Sequence, residues 1–154
     1  MEIEELERHL QAGIPLAGAM GIRVTSVNSL GVRITAPLEP NHNSIGKLFG
    51  GSAAAALTIA GWITVYSGLR DAGIEAEIVI QNSAIDYTTP VDADFEIYCP
   101  QPSATEWTRF VETLERHGRS RIELGAIIEC HDHPLVRFTG RYVARKAAQG
   151  QSAD

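Results

Sequence analysis

Cysteine is scarce in this sequence. Only Cys99 and Cys130 are present, and no CxxC spacing occurs. Two isolated thiols do not form the disulfide framework that is typical of small secreted domains. Both fall inside predicted strands, so we expect buried, reduced thiols and a cytoplasmic protein.

An excess of positive charge is also missing. The chain has 13 Lys and Arg against 19 Asp and Glu, a formal net charge of −6, which argues against nucleic acid as the main partner. The charge is uneven, because residues 1–108 carry five basic and thirteen acidic side chains while 109–154 carry eight and six. The basic residues of the second part predict either an ordinary solvated surface or a local patch for a small anion. They are Arg109, Arg116, Arg119, Arg121, Arg137, Arg141, Arg145 and Lys146.

No charge at all occurs from Leu48 to Leu69, a stretch long enough to span a membrane. Four glycines and four Ser or Thr residues interrupt it, and strongly charged chain lies on both sides, so a helix buried in protein is the better interpretation. The N-terminal MEIEELERHL is acidic and lacks the basic start and apolar core of a signal peptide. We therefore expect no membrane partner.

Hydrophobic periodicity predicts one domain over residues 1–146 and a disordered tail over 147–154. The predicted elements are a helix at 4–11, a connecting segment at 14–21, a hairpin at 22–36, the apolar helix from Gly50 to Gly73, strands within 76–91 and 92–102, a helix at 105–117, and a C-terminal hairpin around Asp132-His133-Pro134.

The central helix is apolar nearly all round and must therefore be enclosed on most sides. The strands are long enough to curl a sheet around it, and a second copy of the chain can cover the remainder. This predicts an α+β hotdog fold, a curved antiparallel sheet wrapped around one long central apolar helix, working as a dimer.

Two stretches carry a family resemblance, PLEPNHNSIGKLFGGSAAAALTIAGW and, downstream, IVIQNSAIDYTTPVDADF. With IPLAGAMGIRV and FTGRYVA they resemble the hotdog thioesterase family typified by the bacterial YiiD C-terminal domain, over about Ile14 to Ala144. The resemblance implies an acyl-CoA or acyl-carrier-protein ligand, no cofactor or metal, and a homodimer or a dimer of dimers.

The start of the central helix is the first candidate site. Unpaired N–H groups and the positive end of the helix dipole favour an oxyanion there, and glycines let a ligand approach the backbone closely. Gly50, Gly51 and Ser52 occupy this end, with Gly51 and Ser52 as the candidate oxyanion donors. The alternative is that the glycines only relieve crowding between helix and sheet.

The loop before the helix supplies two further candidates. Asn43 stands where the resemblance implies an asparagine that orients the attacking water, although loops also favour Asn as a turn residue. His42 is either a base with a pKa near neutrality or an ordinary exposed histidine.

The sequence departs from the pattern that the resemblance implies. Many hotdog thioesterases carry a carboxylate about two turns into the central helix, and that position is Thr58 here; the histidine that precedes the Gly-Gly pair in some relatives is replaced by Phe49. No Asp or Glu occurs from Asn41 to Arg70. Thr58 can hold a water by hydrogen bonding, but it is a poor base.

The strand after the helix offers substitutes for the missing acid. Strict alternation would place residues 78, 80, 82, 84 and 86 on one face and 79, 81, 83, 85 and 87 on the other. Asp86 is a candidate base if buried and an ordinary surface charge if not. Asn82 and Ser83 are alternative ligands for a water or a carbonyl.

A metal site is the weaker interpretation of CHDHP at Cys130–Pro134, because Asp-His-Pro is common in turns and alternate strand residues point apart. The predicted function is thioester hydrolysis, with Asn43, Gly51, Ser52, Thr58, Ser83 and Asp86 as catalytic candidates and His42, Phe49, Gly50 and Asn82 as substrate-binding candidates. A non-catalytic acyl-thioester binding module and a hotdog dehydratase or hydratase remain the alternatives.

Overall fold

The computed structural model describes residues 1–131 and 133–147. Residues 148–154 of the predicted tail lie outside the described residues, and so does Asp132 of the CHDHP turn. The helices are α1 (Ile3–Gly13), α2 (Pro15–Ala19), α3 (Gly50–Asp71) and α4 (Ala104–His117). The strands are β1 (Arg23–Asn28), β2 (Gly31–Ala36), β3 (Ala76–Tyr87), β4 (Phe95–Pro100), β5 (Arg119–Cys130) and β6 (His133–Lys146).

Most predicted boundaries shift by one to three residues, and two larger differences have a local cause. The predicted connecting segment contains α2, which starts at Pro15, a residue suited to the first turn because its missing N–H would have no partner there. The strand predicted to run to Val91 ends at Tyr87. Beyond it, the N–H groups of Thr88 and Thr89 both donate to the Leu135 carbonyl, and Pro90 has no N–H for a ladder.

The six strands form one antiparallel sheet in the order β1-β2-β4-β5-β6-β3. Helix α3 packs against one face of it, with eleven of its 22 residues buried. Tyr142 of β6 ties the two layers together, because its ring lies against Gly61 and its hydroxyl donates to the Thr58 carbonyl at 2.7 Å. The chain therefore adopts the predicted hotdog fold, with the apolar helix as its core.

Length and composition alone would let α3 cross a membrane. It lies against the sheet instead, and 56% of its most apolar window is buried inside the protein. This burial is what a core helix requires and favours that interpretation of the uncharged stretch.

A β-bulge in β3 changes which side chains face the helix. The register with β6 shifts between Ile80 and Asn82, so Gln81 is an extra residue on the bulged strand. Strict alternation across the whole strand is therefore wrong. Cross-strand partners share a face, and the buried β6 residues Val136, Phe138, Tyr142 and Ala144 define the helix side. Ile78 and Ile80 before the bulge share this side with Ser83, Ile85 and Tyr87 after it.

The two cysteines differ in environment. Both are free thiols, but Cys99 is fully buried whereas Cys130 is half-buried at the end of β5. Burial raises the pKa of the Cys99 thiol to about 11, since the interior disfavours the thiolate. The expectation of a buried thiol therefore holds for Cys99, whereas Cys130 is only half-buried.

Candidate active site at the start of α3

A cleft of about 390 Å³ opens beside the first turn of α3. Its walls are the loop that precedes the helix, Gly50 and Ala53 of the helix itself, and the segment that follows β3. The loop contributes Asn43, Ile45, Lys47 and Leu48, and the far wall contributes Tyr87, Thr89, Pro90, Val91 and Val136. Most of these side chains are apolar, as expected of a small-molecule site with few polar groups.

The first turn of α3 presents unpartnered backbone donors. Phe49 is the N-cap residue, and no side chain caps the helix. The first N–H with an intrahelical acceptor is that of Ala53, which donates to the Phe49 carbonyl at 3.0 Å. The N–H groups of Gly50, Gly51 and Ser52 have no acceptor among the described residues. Together with the helix dipole, this end can stabilise a negative oxygen.

Tyr87 fixes one peptide of this turn. Its hydroxyl donates to the Gly50 carbonyl at 3.0 Å, and its ring lies in contact with Gly50. In a trans peptide the carbonyl and the following N–H point in opposite directions, so this hydrogen bond orients the Gly51 N–H. Tyr87 is not among the site residues predicted from the sequence. The sequence feature that could have indicated Tyr87 is its position at the end of the strand, two residues after Ile85. Residues two apart on a strand share a face, and Ile85 faces the helix.

Asn43 is engaged in the turn that shapes the cleft. Its Oδ1 accepts the N–H groups of Ile45 and Lys47, both at 3.0 Å, and its own N–H donates to the Lys47 carbonyl at 2.6 Å. Both lone pairs of that oxygen are therefore used. The side-chain NH₂ group has no acceptor among the described residues. Asn43 thus offers the cleft a donor rather than an acceptor.

Two neighbours of this turn point elsewhere. His42 is exposed, does not line the cleft, and has its Nδ1 2.8 Å from the Asn43 carbonyl oxygen. Phe49 is also outside the cleft wall; its side chain is 55% exposed and lies beside Gly51.

Four residues were predicted to take the place of the missing helix carboxylate, and none of them lines the cleft. They are Thr58, Asn82, Ser83 and Asp86. Thr58 is half-buried on α3, and Ser83, cross-strand from Gly140, is exposed on the helix side of β3. Asn82 and Asp86 lie on the opposite face, cross-strand from Arg141 and Arg137. Asp86 is therefore a surface charge in this chain, as its alternative interpretation predicted.

The cleft carries one cation. Lys47 lines it and forms an ion pair with the exposed Asp92 at 3.4 Å. No carboxylate lines the cleft within residues 1–131 and 133–147, and no group of three His, Cys, Asp or Glu side chains there is placed to hold a metal ion. Among the described residues the cleft consequently offers donors and apolar walls but no carboxylate or histidine that could act as a general base.

Comparison with known proteins places these features in a family. Residues 3–146 match the family described as "Putative thioesterase (yiiD_Cterm)". The chain belongs to this family.

Solved structures show the same fold over nearly the whole chain. A protein of unknown function from Chlorobaculum tepidum is 30% identical, with 94% of each chain covered and a TM-score of 0.88. A thioesterase, described as putative, from Shewanella oneidensis is 24% identical, with 93% of this chain and 96% of that one covered and a TM-score of 0.84. A Pseudomonas aeruginosa protein of unknown function, described as a probable thioesterase, is 16% identical, with 94% and 96% covered and a TM-score of 0.68.

Proposed function

We propose that this protein hydrolyses acyl thioesters of CoA or of an acyl-carrier protein. The observation that carries the proposal is the set of unpartnered N–H groups at the start of α3, which open beside an apolar cleft. When water adds to the thioester carbonyl, its oxygen becomes an oxyanion, and preorganised N–H donors lower the barrier to that step. Gly51 and Ser52 supply these donors.

The other cleft residues have complementary roles. The NH₂ group of Asn43 donates to the attacking water or to the carbonyl oxygen, while Ile45, Leu48 and Val136 provide apolar contacts for the acyl chain. Water attacks the carbonyl carbon, the C–S bond breaks, and the sulfur leaves as a thiol after taking up a proton. The base that removes the proton from water is not assigned within one chain, since no carboxylate lines the cleft of the described residues.

We place the complete site at a subunit seam of a homodimer. β3 is an edge strand, and Val79, Ile80 and Tyr87 along it are 60%, 36% and 55% exposed. An exposed apolar edge is normally paired or covered in a native protein. Pairing with a second copy at β3 would cover Ile80 and bring groups of the partner next to Thr58 and Ser83.

The direct test is a panel of acyl-CoAs of different chain lengths, with release of free thiol as the readout. We expect saturable turnover that depends on chain length, because the apolar wall has a finite extent. Thiol release equal to the uncatalysed background for every member of the panel would refute hydrolysis of CoA thioesters. The same measurement on an acyl-carrier-protein thioester would then test the other proposed substrate class.

A binding module that retains the acyl thioester without cleaving it is the second candidate. It is favoured by one observation, that no carboxylate lines the cleft of the described residues. Saturable binding of an acyl-CoA without turnover would establish it. The dehydratase or hydratase alternative is less well supported, because His42 lies outside the cleft wall.

Tyr87→Phe is expected to lower kcat about tenfold while leaving KM within about twofold. Loss of the hydroxyl frees the Gly50 carbonyl and lets the Gly50-Gly51 peptide reorient, which weakens a transition-state contact rather than a substrate contact. Hydrogen exchange of the Gly51 amide, measured beside the kinetics, should become faster. Unchanged kcat and unchanged exchange would show that Tyr87 only fills space.

A further inference from the structure

A second cleft lies between α4 and β5, far from the start of α3. Its volume is about 420 Å³, and it shares no lining residue with the first cleft. It exists because β4 pairs with β5 only from Ile127 to Glu129, so the edge of β5 over residues 119–126 has no neighbouring strand on that side. Helix α4 packs there, and its Trp107 contacts Gly68 near the end of α3.

Three guanidinium groups border this second cleft. Arg109 comes from α4, and Arg119 and Arg121 come from β5. None of the three has a carboxylate within ion-pair distance among the described residues. Arginine is the side chain best suited to bind the oxygens of a phosphate, since its planar fork donates two parallel hydrogen bonds.

Two carboxylates also line the second cleft, and both have other partners, although the charge of Arg109 also stabilises the Glu106 carboxylate. Glu106 accepts hydrogen bonds from the backbone N–H and the hydroxyl of Ser103, at 3.0 and 2.7 Å, in a capping box. Glu123 forms an ion pair with Arg141 at 3.8 Å. The arginines of the second cleft are therefore in excess over the carboxylates that face it.

The strand register places like charges next to each other. Arg119 lies directly cross-strand from Arg145, which also faces Glu77 of β3 on its other side, and Arg121 is two residues further on the same face of β5. Like charges in directly opposed positions destabilise a sheet. An anion held at this end of β5 would relieve that repulsion.

From this arrangement we infer that the cleft between α4 and β5 binds a phosphate-bearing anion through Arg109, Arg119 and Arg121. Two sources share this chemistry. One is a small phosphorylated effector, and the other is the nucleotide end of CoA, which rests on the proposed function.

The test is calorimetric titration of the full chain with pyrophosphate at constant ionic strength, adjusted with sodium chloride. We expect saturable binding of one anion per chain. Arg121→Gln should weaken that binding at least tenfold. Arg137→Gln is the matched control, an arginine of β6 that does not line the second cleft, and it should bind as the wild type does. Absence of saturable binding, or equal weakening by both variants, would overturn the inference.

A stability measurement guards against a variant that simply misfolds. Arg119→Gln removes one member of the like-charge pair, so it should raise Tm in the absence of pyrophosphate and reduce the additional stabilisation that pyrophosphate gives. A lower Tm without the anion would contradict the repulsion argument.

Steady-state kinetics distinguish the two proposed sources of the phosphate, a separate effector and the nucleotide end of CoA. If Arg121→Gln raises KM for an acyl-CoA but not for the corresponding acyl-pantetheine, the anion is the phosphate end of the substrate. If neither KM changes while pyrophosphate binding is lost, the anion is a separate effector. An equal rise for both substrates would contradict a role specific to phosphate. Should the wild type show no turnover at all, the proposed function fails, but the titration still decides the anion site.

Discussion

Gly51→Pro is expected to lower kcat by about 10²–10³-fold relative to Gly51→Ala, the range seen when one oxyanion donor is removed. Proline removes the N–H at this position but tolerates the first turn of a helix, where no intrahelical bond is lost. Alanine retains the N–H and adds the same Cβ. Comparison of these two variants on the substrate identified by the acyl-CoA panel therefore measures the loss of the donor together with the steric effect of the proline Cδ at the same nitrogen.

The added Cβ is shared by both variants, whereas the ring carbons Cγ and Cδ are added by proline alone. A Cβ at Gly51 would come 2.5 Å from the Phe49 ring, but that ring belongs to an exposed side chain and can rotate away. Proline also restricts the residue before it, here Gly50, which has no Cβ to add to the clash. Equal Tm values would confirm that both variants are folded. Equal kcat values would show that the Gly51 N–H does not contact the reacting carbonyl.

The central helix could be predicted because its local sequence pattern and the requirement that its apolar surface be buried indicate the same element. Residues 48–69 contain no charge, Gly50 and Gly73 bound the segment, and a helix apolar nearly all round must be enclosed. The capping box at Ser103 and the left-handed Gly118 likewise mark the ends of α4 from local chemistry alone. These features depend on near neighbours in the chain, which a single sequence displays.

The details of the candidate site depend on partners that are distant in the chain. The bulge at Gln81 is visible only in the register of β3 against β6, and it decides which residues of β3 face the helix. The contact of Tyr87 with Gly50 joins positions 37 residues apart. Asn43 could be predicted as a turn residue or as a ligand, and only its hydrogen bonds show that its oxygen is already occupied. Sequence periodicity identifies elements but does not supply such contacts.

Gly61→Val is expected to destabilise the fold by about 3 kcal/mol, since overpacking a core costs about 1–3 kcal/mol and the Tyr142 hydrogen bond adds about 1 kcal/mol. A Cβ at Gly61 would lie 2.2 Å from the Tyr142 hydroxyl oxygen and 2.5 Å from its ring carbon Cζ. Tyr142 is 1% exposed, so its ring is enclosed by the protein interior. Thermal unfolding should show Tm lowered by about 6–12 °C for a chain of this size.

Gly18→Ala is the matched control for the loss of stability expected in Gly61→Val. A Cβ at Gly18, also inside a helix, would meet only Gln11 at 3.8 Å, an ordinary contact. Its Tm should stay the same or rise slightly, because alanine favours a helix over glycine by about 1 kcal/mol. If the clash with Tyr142 is the cause, the double variant Gly61→Val with Tyr142→Leu should lose less than the sum of the single losses, because the shorter side chain frees the space that valine needs. Additive losses would show that Gly61 is small for a reason other than the tyrosine ring.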